Sequence, residues 1–365
     1  MKADLINCKL ICSSSATHLS QLFTGFGELE KRGLAKISVI KDDNFFPGVT
    51  APPFLKVVID DRVKVFYDLA DCADLVELGV QWSDVYFKRS YSSGLVRQRS
   101  LEGKIFPYGF NYPVFGSHDF AFKRIVWSIM AIRSIGDLKN VGIQTARLSG
   151  LLSRILKVNS GRSNSSIEQF EGFPKNSNPP LILFLTRLWN PNNASKEFYS
   201  ERTYINHMRA ECIRKLRKEF NKLFIGGVEP SRYSLDKYKD VVVSNPEITK
   251  KKKYLKLVRK SDICVATMGL QGSNGWKLAE YIAFSKAIVT EELQFTVPGN
   301  FCENTNFLKF DNADACVEAV SNLVNDSKLR LSIMQNNYEY YQNYLRPGKL
   351  VWNTLFTAKN IDIKQ

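Results

Sequence analysis

Residues able to do chemistry are densest between Ile263 and Glu291, in the stretch ICVATMGLQGSNGWKLAEYIAFSKAIVTE. A β-branched, apolar run opens it, Gly269, Gly272 and Gly275 follow, and Trp276, Leu278, Ala279, Ile282 and Ala283 then recur at helical spacing. The order is strand, glycine-rich loop, helix, strand. A parallel strand that empties through small residues into a helix start leaves backbone N–H groups unpaired and aimed outward, which suits an anion such as a pyrophosphate. Gly272, Ser273, Asn274 and Gly275 supply such groups and short side chains, and Lys277 adds a positive charge in the first turn. Glu280 lies one turn further on, where a carboxylate accepts hydrogen bonds from the vicinal hydroxyls of a sugar. An ordinary βα turn with a solvated lysine and glutamate fits the same spacing.

Other reactive side chains sit at expected strand ends. Arg187 closes the apolar run LILFLTR, and its planar fork suits phosphate oxygens as well as it suits a surface ion pair. The histidines are His18, His118 and His207, and His18 stands at the first strand-to-helix junction, the place for a base or for a group that positions an acceptor. Asp68 and Asp71, at the end of VKVFYDLAD, are alternative catalytic carboxylates or helix caps. Lys88 and Arg89 close DVYFKR and fit an acidic or phosphorylated acceptor, or a solvated strand end. The seven cysteines form no CxxC pair, so they read as buried thiols in a reducing compartment and indicate no zinc site.

The elements that must carry these residues divide into two α/β domains. A chain of 365 residues is long enough for two cores of ordinary size. Strands are expected at 8–13, 35–40, 55–59, 63–67 and 85–88, with a helix from His18 towards Gly33 and another around 74–79. Helices are also expected at 120–135 and 145–156. From 158 to 180 the composition turns to Ser, Asn, Gly and Pro, which marks a linker between an N-terminal domain, 1–157, and a second domain, 181–345. The second domain is expected to run through a strand at 181–185, a basic helix at 194–221, strands at 223–227 and 240–244, a lysine-rich helix at 250–260 and the glycine loop. A strand at 306–310 and helices at 312–325 and 327–344 follow, and residues 346–365 form a terminal segment whose helix, at 350–356, crosses back onto the first domain.

The run GWKLAEYIAFSKAIVTEE resembles the donor-binding segment of GT-B glycosyltransferases. Glu280, Ala283, Lys286, Ile288 and Val289 fall where that superfamily carries the pattern E, A, small residues, G, K, P, V, V, whose glutamate contacts the donor ribose. Ser285 stands in place of the glycine, and Gly272 stands where a pair-of-glutamates motif has its first glutamate. The similarity is to the bacterial polysaccharide and lipopolysaccharide enzymes of the superfamily, by motif in the C-terminal half and by layout in the N-terminal half. It implies two Rossmann-like, doubly wound domains facing across a cleft. It further implies a nucleotide-sugar donor held by Arg187, Gly272, Ser273, Asn274, Gly275, Lys277 and Glu280. A glycan or lipid-linked acceptor, as in O-antigen assembly, would meet Lys88 and Arg89, with His18, Asp68 or Asp71 as the base. No cofactor and no metal is expected, since no DxD pattern occurs in a suitable loop.

Two rivals follow from composition. A net charge of +15 attracts nucleic acid, nucleotide phosphates or an anionic membrane surface, and Lys250–Lys253 with Lys256, Arg259 and Lys260 make a basic helix face. No zinc-finger, RNP-like or helix-turn-helix pattern accompanies that charge, so a non-enzymatic polyanion binder is the alternative reading. A Rossmann dehydrogenase would need GxGxxG after the first strand, where this chain has SSSAT. No apolar run reaches the roughly 18 residues of a membrane span, and Met1–Ala16 lacks the apolar core of a signal peptide. The expected location is cytoplasmic, on the inner face of the membrane.

Overall fold

The computed structural model describes residues 5–12, 16–41, 53–116 and 166–362. The helices expected at 120–135 and 145–156, the loop 13–15, His118 and the first part of the linker lie outside the described residues.

The N-terminal sheet is built from β1 (Ile6–Cys12), β2 (Ala35–Lys41), β3 (Phe54–Ile59), β4 (Val63–Asp68), β5 (Val85–Lys88) and β6 (Ile105–Pro107), in the order β2-β1-β3-β4-β5-β6. Helix α1 (Ser20–Lys31) follows a 3₁₀ turn over Thr17–Leu19, and α2 (Glu77–Trp82) and α3 (Ser93–Gln98) link the later strands. Neighbouring strands are parallel except β3, which runs antiparallel to both β1 and β4. The cause is local. Asp60 and Asp61 both take positive φ, and Arg62 N–H donates to Ile59 O at 2.9 Å, a tight hairpin turn too short for a parallel crossover.

After a helical turn α4 (Ile167–Phe170), the second sheet contains β7 (Ile182–Thr186), β8 (Phe224–Val228), β9 (Ile263–Ala266), β10 (Ala287–Thr290) and β11 (Phe307–Lys309), all parallel, in the order β11-β10-β9-β7-β8. Helices α5 (Tyr199–Phe220), α6 (Arg232–Lys237), α7 (Lys251–Lys260), α8 (Trp276–Ala283), α9 (Ala313–Asn325) and α10 (Ser327–Tyr340) cover it. Strand order reverses between β7 and β9, the switch point where open α/β sheets place ligands. The molecule is thus two Rossmann-like α/β domains, the first with one reversed strand.

Two expectations are corrected. Residues 240–244 are not a strand: Lys239–Val241 form a 3₁₀ turn and Val242 makes one bridge to Val228, because Asp240 turns out to meet Arg214. The described part of the expected linker is held against the second domain and the segment that follows it. Glu171 accepts from Arg346, Ser285 Oγ donates to Gly172 O, and Arg330 donates to Asn176 and Ser177. The last helix, α11, spans Pro347–Asp362, longer than the 350–356 expected, with proline in the opening position that tolerates it. It lies on the first domain, where Leu350, Val351, Leu355 and Ala358 join the core of β1, β3, β4 and α1. Gly25 on α1 permits this, since a Cβ there would stand 2.4 Å from Pro347 O.

Candidate active site

The glycine loop leaves β9 at its carboxyl end, beside the end of β7. Gln271 and Gly272 both hold positive φ, 58° and 66°, so the loop turns back on itself where glycine carries no steric cost. Gly269 N–H donates to Ser273 O at 2.9 Å and Ser273 N–H to Leu270 O at 3.1 Å. Gly275 begins α8 without a side-chain cap. Ser273 and Asn274 are buried, and Asn274 Nδ2 donates to Phe295 O at 3.4 Å.

Three charged side chains hold this loop that spacing alone does not single out. Arg209, buried on α5, donates from Nε to Thr267 Oγ1 at 2.8 Å, from Nη1 to Arg187 O at 2.7 Å and from Nη2 to Met268 O at 2.8 Å. One guanidinium therefore joins the exits of β7 and β9 across the switch point, and burial pushes its pKa down to about 10. Glu291, just past β10, accepts from Met268 N–H at 2.7 Å, and burial raises its pKa against the pull of that bond and of Arg209. Glu201 accepts from Gln271 N–H. Glu291 was within reach of a sequence rule, being an acid at the carboxyl end of a buried strand; Arg209 is one base among many on a basic helix.

The residues expected on the donor side take unequal positions. Arg187 is exposed and its guanidinium lies over the Trp189 ring at 3.9 Å; partial desolvation there lowers its pKa against the opposing charges of Glu229 and Asp71. Lys277 stands 4.1 Å over the Tyr254 ring, and burial pushes its pKa down to about 8 although Glu280 opposes the shift. Glu280 is not an exposed carboxylate: it is buried and paired with Lys251 of α7.

The first domain brings His18, Asp71 and Arg89 to the same place. The His18 ring meets the Trp276 ring edge-on, centroids 5.0 Å apart, at the first turn of α8. Arg89 is buried, pairs with Asp71, and donates from Nη2 to Asn274 O at 2.9 Å, so one side chain spans both domains. Burial lowers the His18 pKa, Arg89 lowers it further and Asp71 opposes both. The His18 backbone is fixed from behind, where Asn111 Nδ2 donates to His18 O at 3.0 Å and to Gln21 Oε1 at 3.1 Å.

Asp68 and Lys88 do not reach the cleft, which corrects the expectation that they serve catalysis and acceptor binding. Lys88 Nζ donates to Asp68 Oδ2 at 2.7 Å, Tyr86 Oη donates to the same oxygen at 2.6 Å, and both charged side chains are sealed, 1% and 0% exposed. The pair is a brace between β4 and β5 beneath the site.

No family model matches the chain, and no curated protein matches it. Solved structures do. A glycosyltransferase from Rickettsia africae ESF-5 aligns with 80% of this chain and 69% of its own, at 13% identity and a TM-score of 0.40. The C-terminal domain of the glycosyl transferase group 1 family protein LpcC from Francisella tularensis aligns with 48% of this chain and 95% of its own, at 16% identity and 0.34. The UDP-GlcNAc 2-epimerase from Neisseria meningitidis, bound to UDP-GlcNAc, aligns with 76% of this chain and 63% of its own, at 12% identity and 0.38.

Proposed function

We propose that this chain is a glycosyltransferase that moves a sugar from a nucleotide-sugar donor to a hydroxyl of a glycan or lipid-linked acceptor. The observation that carries the reading is the meeting of His18 with Trp276 at the start of α8, together with the Arg89 bridge to Asn274 two residues earlier. A residue of the first domain with the chemistry of a base thereby faces the loop and helix start of the second, the part suited to a diphosphate. In the proposed reaction the acceptor oxygen attacks the anomeric carbon, the bond from that carbon to the diphosphate oxygen breaks, and the acceptor proton passes to His18. A lowered pKa keeps His18 neutral and able to accept it, and Asp71 favours the imidazolium that results. Arg187, Lys277 and the N–H groups of the α8 start meet the charge on the departing diphosphate, in place of a metal. Gly272, Ser273, Asn274 and Gly275 shape that site. Glu280 contacts the donor ribose only if Lys251 moves aside.

Lipopolysaccharide or O-antigen assembly at the inner membrane face is the setting proposed for the acceptor. Among the described residues no helix is long and apolar enough to cross a membrane. Thermal shift with UDP, dTDP and GDP tests the donor half, since a ligand specific to the folded state raises stability by mass action. Stabilisation by at least one of them is expected. Stabilisation by heparin or DNA and by no nucleoside diphosphate would instead support a polyanion-binding protein. Product analysis with an acceptor present then separates transfer from epimerisation of the donor sugar.

A further inference from the structure

A second cavity lies away from the glycine loop, where both domains and α11 converge. Its volume is about 370 Å³, and its wall combines Phe87 and Tyr108 of the first domain, Pro298 and Asn343 of the second, and Lys349, Asn353 and Phe356 on or beside the exposed face of α11. That volume falls at the lower end of small-molecule sites, roughly 300–1,000 Å³, and domain junctions are where such sites form.

The chemistry of its rim narrows the occupant. Asn353 Nδ2 donates to Asn343 O at 2.7 Å, Asn343 Nδ2 donates to Glu339 O at 2.9 Å, and Thr357 Oγ1 donates to Asn353 O at 3.0 Å. Each of these three side chains thus spends one donor within the protein, which leaves the second N–H and the side-chain carbonyl of Asn343 and of Asn353 without a partner among the described residues. A ligand that satisfies both must donate and accept, which hydroxyl groups do. Phe356 leaves 61% of its surface exposed at the edge of the cavity, an aromatic face for the C–H side of a ring. Lys349 lines the same wall, is exposed, and has no carboxylate partner among the described residues.

We infer that this cavity binds a hydroxyl-rich ring carrying one anionic group, a uronic acid or a sugar phosphate, between Phe356, the two asparagines and Lys349. The site stands apart from the proposed transfer reaction and does not depend on it.

Saturation-transfer NMR with glucuronic acid, glucose 6-phosphate and glucose, without nucleotide, tests the assignment. Transfer to the ring protons of at least one anionic sugar is expected, with glucose weaker by about tenfold, the scale of one charge-assisted contact. Lys349→Gln should bring the anionic sugar down to the level of glucose, and Phe356→Ala should abolish transfer from all three. Both side chains are exposed, so unfolding midpoints and nucleoside diphosphate binding should stay as they are in the parent protein. Absence of transfer at about 10 mM sugar, where even a millimolar site fills, would overturn the proposal. So would signals that neither substitution changes.

Discussion

Two ion pairs drawn from neighbouring residues meet opposite fates. Asp68 and Asp71 are three apart in YDLAD, and Lys88 and Arg89 are adjacent, yet Asp68–Lys88 is sealed while Asp71 keeps 43% of its side chain exposed beside a buried Arg89. Strand register decides the difference. Asp68 and Lys88 are partners in the last rung of the β4–β5 ladder and share one face of the sheet. Arg89 is the first residue beyond that ladder, and Asp71 lies in the loop past β4, so their side chains leave the sheet for the cleft. The inner pair is a component of the fold. The outer pair holds a partly solvated acid, reaches the second domain through Asn274 and sets the field around His18.

Breaking the inner pair should have the largest effect on folding. Lys88→Met leaves Asp68 buried without its cation, and removal of one member of a sealed pair costs about 3–5 kcal/mol. Urea unfolding should show that loss while nucleoside diphosphate affinity of the folded fraction is retained. Equal loss from Asp71→Asn would erase the distinction between the pairs.

On the outer pair the effect should appear in turnover. His18→Ala is expected to lower kcat by about 10²- to 10⁴-fold, the usual contribution of a positioned base, with donor affinity kept. Because burial and Arg89 hold the His18 pKa below its ordinary 6.5, the acid limb of the rate profile should lie below pH 6.5 and move upward in Arg89→Gln. Stability follows the same sign. The unfolded chain takes up the proton first as pH falls past 6.5, so the stabilisation carried by neutral His18 is complete above 6.5. It is lost between there and the lower folded value. A His18 NMR titration centred at or above 6.5 would contradict both statements.

The same geometry separates what the sequence discloses from what it withholds. Apolar runs such as Ile182–Leu185 and Ile263–Ala266 are legible as buried parallel strands because every residue in them is covered. The approach of His18 to the loop is foreseeable from its position at the first strand exit. Burial of Asp68 and Lys88 is not, because a strand end looks alike whether its last side chain points in or out, and one residue of register reverses it. The reversed β3 was within reach: only three residues separate 59 from 63, and no parallel crossover is that short. Arg209 gives no signal, since its task depends on three acceptors brought together from β7 and the β9 loop.

Glu280 offers a smaller test of buried against solvated charge. Glu280→Gln should lower stability by about 1.5–3 kcal/mol, because Lys251 loses a charged partner within the protein. A change in donor affinity without a change in stability would place the carboxylate on the ligand instead.

The smallest effect per residue is expected on α7. Its positive charges are already divided: Lys250 and Lys253 pair with Glu247, Lys251 pairs with Glu280, and Arg259 donates to the carbonyls of Glu168, Gln169 and Glu171. Lys252, Lys256 and Lys260 remain exposed at four-residue spacing on one face, opposite the buried Tyr254, Leu255 and Val258. If the acceptor is lipid-linked, these three lysines would be the contacts that keep the protein at an anionic surface, at about 1 kcal/mol each. Replacing them with Gln should weaken sedimentation with phosphatidylserine vesicles, and salt should do the same to the parent protein. Activity on a soluble acceptor should be unaffected. Replacing Lys250 and Lys253 should matter less, because Glu247 already offsets their charge. Vesicle binding that ignores both salt and the three substitutions would show that this face does no more than keep the helix solvated.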